Sequence, residues 1–219
     1  MHHDFSKSFT GCSDAKFDPY GQQSLYDPQG RRKYVTDRER KAALQIALSR
    51  RPTVYTLCAT LAYSGCRLSE ALELDASRVD FEHGALIFRT LKKRNAQMFR
   101  LVPVPQDVLV DLDRVHGIHG RQKHQTDQSR QCKLHDPLWD WSRIHAWRLI
   151  KSVLCEAGVK GPAASPKGLR HGFGVTAVTK GLPLHLVQRW LGHTKLATTA
   201  IYADALGDEE RQINTRMWL

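Results

Sequence analysis

Tyr63-Ser64-Gly65-Cys66-Arg67-Leu68-Ser69-Glu70-Ala71-Leu72 is the stretch from which the architecture of this 219-residue chain can be read. Upstream of it, Pro52 suits a first helical position, and Val54, Leu57, Cys58 and Leu61 fall on one face of a helix. Gly65 breaks that helix and places Arg67 near the start of the next, short one, where an arginine is positioned rather than floppy. Arg67 and Glu70 stand three apart, the spacing at which side chains on one helical face meet. Seen alone, such a pair is most often a surface ion pair. If buried, it is an arginine oriented by its carboxylate, with a planar fork suited to two oxygens of a phosphate.

Working outward, Thr36-Asp37-Arg38-Glu39 has the capping-box spacing and predicts a helix running to about Ser49. Residues 85–90 and 98–103 read as strands joined by the basic turn Leu91 to Gln97, a small antiparallel hairpin. From His116 to His135 the sequence is polar and lacks an apolar period, which predicts a long loop. A helix follows from about Asp140 to Ala157 with Ile144, Trp147, Ile150 and Leu154 inward, and Gly161 to Ser165 is a turn. Helices over about Leu169 to Lys180, Pro183 to Leu191, Thr198 to Ala203 and Asp208 to Met217 complete the chain. The fold class expected is mainly α with one small antiparallel β-sheet. Residues 1–33 are polar and aperiodic, which predicts a flexible arm ahead of a single domain over 34–219.

Thirty-three Lys and Arg against 22 Asp and Glu give a formal net charge of +11, an excess that points to a polyanion such as nucleic acid. Five cysteines (Cys12, Cys58, Cys66, Cys132, Cys155) form no CxxC pair and read as reduced thiols. No stretch approaches the apolar run of about 18 residues that a membrane span needs. A cytoplasmic, nucleoid-associated protein without a membrane partner is expected. His116, His119, His124, Cys132 and His135 show no tight metal-ligand spacing, so no metal is expected, and no Gly-rich phosphate loop suggests ATP.

Three further motifs complete the pattern: Ser165-Pro166-Lys167-Gly168-Leu169-Arg170-His171, Leu191-Gly192-His193 and Ile201-Tyr202. A tyrosine ending an apolar stretch is usually a core residue, but Tyr202 follows His193 by nine residues, with Thr198-Thr199-Ala200 between. In order and spacing these motifs, with the one around Arg67, resemble the tyrosine recombinase (phage integrase) family from about Tyr34 onward. The resemblance implies that family's catalytic-domain fold and a metal-independent, cofactor-free cutting and rejoining of DNA through a 3′-phosphotyrosyl link. It implies Tyr202 as nucleophile, Arg67 and Arg170 as the phosphate clamp, Glu70 as the group orienting Arg67, and His193 as a further donor. A lysine of the hairpin turn, Lys92 or its neighbour Lys93, would protonate the leaving 5′ oxygen.

Two departures stand out. Family members usually carry histidine three residues before the second arginine, where this chain has Lys167. Lysine still donates to a phosphate oxygen but is a poorer base at neutral pH, and His171 is a candidate for part of that role. Only about 33 residues precede the motif-bearing region, too few for the family's N-terminal helical domain. A catalytic-domain-only recombinase, a fragment, or dependence on an accessory DNA-binding protein follows as the expectation. Double-stranded DNA is the expected partner, with a homotetramer on it whose subunits are linked by the tail Asp208 to Leu219 (Ile213, Met217 and Trp218 available to dock). The alternatives are type IB topoisomerase-like relaxation and a non-catalytic DNA-binding regulator.

Overall fold

The computed structural model describes residues 24–90, 98–123 and 134–204. Helix α1 (Asp37–Leu48) begins at Thr36, whose hydroxyl accepts from the Glu39 N–H at 3.2 Å while the Glu39 carboxylate accepts from the Thr36 N–H at 2.8 Å. The capping box is closed in both directions, and Arg32 adds a two-pronged pair to the same carboxylate. α2 (Pro52–Ser64) is buried on almost every side, as a helix enclosed by other elements must be. It ends at Gly65, where φ is +61° and an added Cβ would lie 2.6 Å from the Phe173 ring, so no side chain fits. α3 (Leu68–Leu72) follows directly, with Arg67 at its N-cap.

A single turn (Ala76–Arg78) leads into β1 (Val79–Asp80), β2 (Ala85–Arg89) and β3 (Phe99–Pro103), an antiparallel sheet in that order. The expected hairpin is present with Phe88 opposite Arg100 and Leu86 opposite Val102; its turn, 91–97, lies outside the described residues. β1 is an addition to the sequence reading. So is α4 (Gln106–His116), which buries Val108, Leu109 and Leu112. The expected loop from His116 to His135 is corrected at its start, since α5 (Ile118–Lys123) is helical. Ile118 is fully buried there, and the Gln122 amide donates to the carbonyls of Ala76 and Val79 at 2.7 and 2.9 Å, ties that a hydrophobic period cannot reveal.

α6 (Arg143–Glu156) occupies the expected place but turns a different face inward. Ala146, Ile150, Val153 and Leu154 are buried, whereas Ile144 is 65% and Trp147 38% exposed. The Trp147 ring is covered instead by the Lys151 ammonium, 5.0 Å from its centroid. α7 (Pro166–Thr179) is capped by Ser165, whose hydroxyl accepts from the Gly168 N–H. α8 (Leu184–Leu191) and α9 (Ala197–Ala200) follow, and α9 passes into a 3-10 turn, Ile201–Asp204. The predicted helix over Asp208 to Met217 lies outside the described residues.

α1, α4, α6 and α7 pack around α2 to form the main core. A smaller cluster gathers Leu25, Tyr34, Val175, Val187, Leu191, Ile201 and Tyr202. Residues 24–33 of the expected arm are described: Tyr26 and Arg32 pair as an antiparallel bridge, and Leu25 is buried in that second cluster. Among the described residues no helix is long and apolar enough to cross a membrane.

Two histidines make the fold acid-sensitive. His116, bonded to the Thr56 hydroxyl at 3.0 Å and edge-on to Trp139, is pushed down to about 4 by burial and then by Arg121. His171 is pushed down to about 3 by burial, then by Lys167, Arg170 and Lys33. Both bind protons more readily when unfolded, so their contribution is intact above pH 6.5 and is lost as the pH falls from there toward 4 and 3. Urea titrations near pH 5 should therefore show an uptake of about two protons on unfolding from these groups, and about one in His116→Gln.

Candidate active site

Arg170 lies on α7 at 7% exposure, where a guanidinium needs acceptors to offset its desolvation. Nη1 donates to the Gly65 carbonyl at 2.8 Å and Nη2 to the Leu191 carbonyl at 2.6 Å. Burial, reinforced by the charge of Arg67, lowers its pKa to about 10, so it stays cationic at neutral pH. Arg67 donates from Nη1 to Glu70 Oε1 at 2.7 Å, and its backbone N–H donates to Oε2 at 2.8 Å. Glu70 is buried, which works to raise its pKa. Hydrogen bonds and charge from Arg100, then the Arg67 N–H and charge, outweigh that and hold the carboxyl below the ordinary range.

Tyr202 comes from the 3-10 turn after α9 and is 1% exposed. Its ring packs over Gly174, where an added Cβ would come within 2.5 Å of ring carbons, and lies near-parallel to the His193 imidazole (6.2 Å between centroids, 20° between planes). Its hydroxyl is 3.3 Å from His171 Nδ1, which accepts when the imidazole carries its proton on Nε2. Burial, opposed by Arg170 and then Arg67, pushes the phenol up to about 12. His193 follows the end of α8, with its N–H donating to the Gln188 carbonyl and Nδ1 3.0 Å from the Thr199 hydroxyl.

Arg67, Lys167, Arg170, His171, His193 and Tyr202 line one cleft of about 460 Å³, so six residues singled out from sequence converge on one place. Glu70 is not on the cleft wall and reaches it through its bonds to Arg67. Lys92 and Lys93 lie outside the described residues. Ser24, Arg143 and Trp147 also line the cleft and were not anticipated there. Arg100 was missed too, although its strand carries the signal: period-two alternation puts it in phase with buried Val102. Among the described residues on the wall none is Asp or Glu, while Arg67, Arg143, Lys167 and Arg170 are cationic. Such a cleft accepts an anion and presents it to a phenol oxygen.

The described members of the histidine-rich stretch face other partners. His119 stacks on Phe81 and pairs with Asp113, and His135 faces Asp75 at 3.8 Å. His124 and Cys132 lie outside the described residues. Among those described, no group of three or more His, Cys, Asp or Glu is placed to hold a metal.

A model of the phage integrase family matches residues 33–209. The tyrosine recombinase XerA of Pyrococcus furiosus is 26% identical over 173 residues, 78% of this chain and 56% of that protein. This chain thus spans little more than half the length of that relative. Among solved structures, that of a XerA recombinase superposes with a TM-score of 0.66 at 24% identity, over 84% of this chain and 64% of the other. That of the XerH site-specific recombinase bound to its difH substrate gives 0.64 at 17% identity, over 89% and 60%. The last two likenesses establish the fold.

The contact between Gly174 and Tyr202 can be tested without any substrate. Gly174→Ala should cost about 1–3 kcal/mol of stability by overpacking, and should move the Tyr202 ring resonances. Gly120, in α5 with nothing near an added Cβ, is the control: Gly120→Ala should leave stability unchanged or raise it by up to about 1 kcal/mol in the same urea titration.

Proposed function

The chain belongs to the phage integrase family, and on that premise we propose that it cuts and rejoins DNA as a site-specific recombinase of the tyrosine type. The observation that carries the proposal is the convergence of Arg67, Arg170, Lys167, His193 and the Tyr202 hydroxyl on one cleft whose described lining holds no Asp or Glu. Arg67 and Arg170 hold the non-bridging oxygens of a scissile phosphate, with Lys167 and His193 as further donors. Preorganised donors of this kind supply the largest share of the barrier lowering in phosphoryl transfer. The Tyr202 oxygen forms a bond to phosphorus as the bond from phosphorus to the 5′ oxygen breaks, leaving a 3′-phosphotyrosyl link and a 5′-hydroxyl. In this reading Tyr202, which lines the cleft of its own subunit, acts in cis.

Two protons move. A free phenol displaced to about 12 does not ionise at neutral pH, but its proton becomes strongly acidic as its oxygen bonds to phosphorus. His171, neutral and 3.3 Å away, is the acceptor in reach. Its displacement to about 3 makes it a weak base until a bound phosphate offsets the neighbouring cations, and in this reading it takes part of the role that Lys167 fills poorly. The leaving oxygen receives its proton from the hairpin lysine, Lys92. A 5′-hydroxyl from another strand reverses each step, and no cofactor enters because the phosphotyrosyl bond stores the diester's free energy.

We place the catalytic domain at residues 34–219, with residues 24–33 packed onto it as a strap. Exchange between two duplexes requires four nucleophiles, hence a homotetramer on double-stranded DNA. The expected setting is the cytoplasm, at the nucleoid. An accessory DNA-binding protein is one route to added grip.

The test is a pool of randomised duplexes incubated with the full chain and selected for SDS-resistant protein–DNA complexes. Wild type should yield adducts in EDTA, and Tyr202→Phe none while keeping its affinity for DNA. On the selected duplex, His171→Ala should slow single-turnover cleavage by about 10²-fold or more, with Lys167→His retaining more activity than Lys167→Ala. No adduct from wild type across the pool would overturn the reading in favour of a non-catalytic DNA-binding role.

A further inference from the structure

Arg100 has no part in the chemistry above, yet its neighbours are the residues that do. It points inward from β3 at 7% exposure, with its guanidinium 5.3 Å from the centroid of the Phe88 ring. Nη1 and Nη2 reach Glu70 Oε1 and Oε2 at 3.2 and 2.5 Å, and Nε donates to the Trp190 carbonyl at 2.8 Å. Arg67 holds the same carboxylate from the other side. We propose that Arg100 is a positioning residue for the phosphate clamp. By sharing Glu70 it fixes Arg67 and leaves net positive charge at the cleft, and through Trp190 it anchors the helix end that precedes His193. The inference rests on the DNA-cleaving reading for the identity of the anion, a phosphodiester.

Charge and geometry both support the assignment. A carboxylate paired with one arginine makes a neutral unit that attracts a phosphate weakly, whereas one carboxylate between two arginines leaves a net charge of one. That charge is expressed where the cleft opens, because Arg67 lines the wall and Arg100 does not. At the other end of the fork, the last turn of α8 has carbonyls without helical partners. Arg100 takes that of Trp190 and Arg170 that of Leu191, so two buried cations fix the direction in which Gly192 and His193 leave the helix. Lysine at position 100 would keep the charge but not a planar fork that serves a carboxylate and a carbonyl together.

Two variants separate positioning from folding: Arg100→Lys, and the pair Glu70→Gln with Arg100→Met, which removes both buried charges and leaves neither unpaired. Each is first shown to be folded by urea titration. Inorganic phosphate is then titrated into the full chain and followed through the ring resonances of Tyr202 and His193. Both variants keep a net charge of one beside the cleft, so any change reports the placement of Arg67 and His193 rather than charge, and the dissociation constant should rise about tenfold in each. On the selected duplex, cleavage should fall about 10²-fold while DNA affinity stays within about threefold of wild type. A methylphosphonate at the scissile position, which removes one charged oxygen, should narrow that gap. Wild-type phosphate affinity and cleavage in Arg100→Lys would overturn the inference, and so would an equal loss on charged and neutral linkages. If wild type forms no adduct but phosphate affinity still depends on Arg100, the DNA-cleaving reading falls and the clamp stands.

Discussion

The fork of Arg170 is the interaction on which the site depends. A buried guanidinium is tolerated only where acceptors are already in place, and here they are the carbonyls of Gly65 and Leu191. These belong to the α2–α3 corner and to the end of α8, segments more than a hundred residues apart in sequence. One side chain on α7 thus ties the corner that presents Arg67 to the turn that presents His193. The requirement runs both ways, because those carbonyls sit where helices stop and have lost their own partners. Gly65 makes the approach feasible by leaving room for Phe173 at the corner.

Electrostatically the cleft is built ahead of its anion. Burial, and then the crowding of cations, lowers the pKa of Arg170 and keeps the imidazole of His171 neutral. The same burial raises the Tyr202 phenol. At neutral pH the pair therefore persists as phenol and imidazole rather than phenolate and imidazolium. Repulsion among fixed cations is relieved by an incoming anion, so binding and assembly of the reacting geometry are favoured together.

The sequence revealed most where a local rule decides the outcome. Thr36 and Glu39 cap a helix by their own spacing, Gly65 stops one by its conformational range, and Arg67 with Glu70 marks a helix start. Reading failed where tertiary contacts decide. Six residues of α5 are held by one buried side chain and by the Gln122 amide, neither of which forms a period. On α6 the apolar positions 144 and 147 share helical spacing with 150 and 154, but the buried stripe is rotated so that Trp147 reaches the cleft wall. Tyr202, Arg170 and His193 were legible as motif members. For Arg100 the strand period could give its inward direction but not its partner, which appears only when Glu70 is seen beside it.

The Tyr202 phenol does not rest on the main core. Tyr202 and Ile201 are seated on the small cluster completed by Leu25, Tyr34, Val175, Val187 and Leu191, whereas Arg67 stands at the rim of the large one through α3. Two packing units of unequal size imply two opening free energies, the smaller one belonging to the strap and the tyrosine-bearing turn. The Tyr202 phenol therefore belongs to the smaller unit, and the buried guanidinium of Arg170 is held at the corner of the larger one by Gly65. Under the proposed reading, the tyrosine and the phosphate clamp are thus seated on two separate packing units.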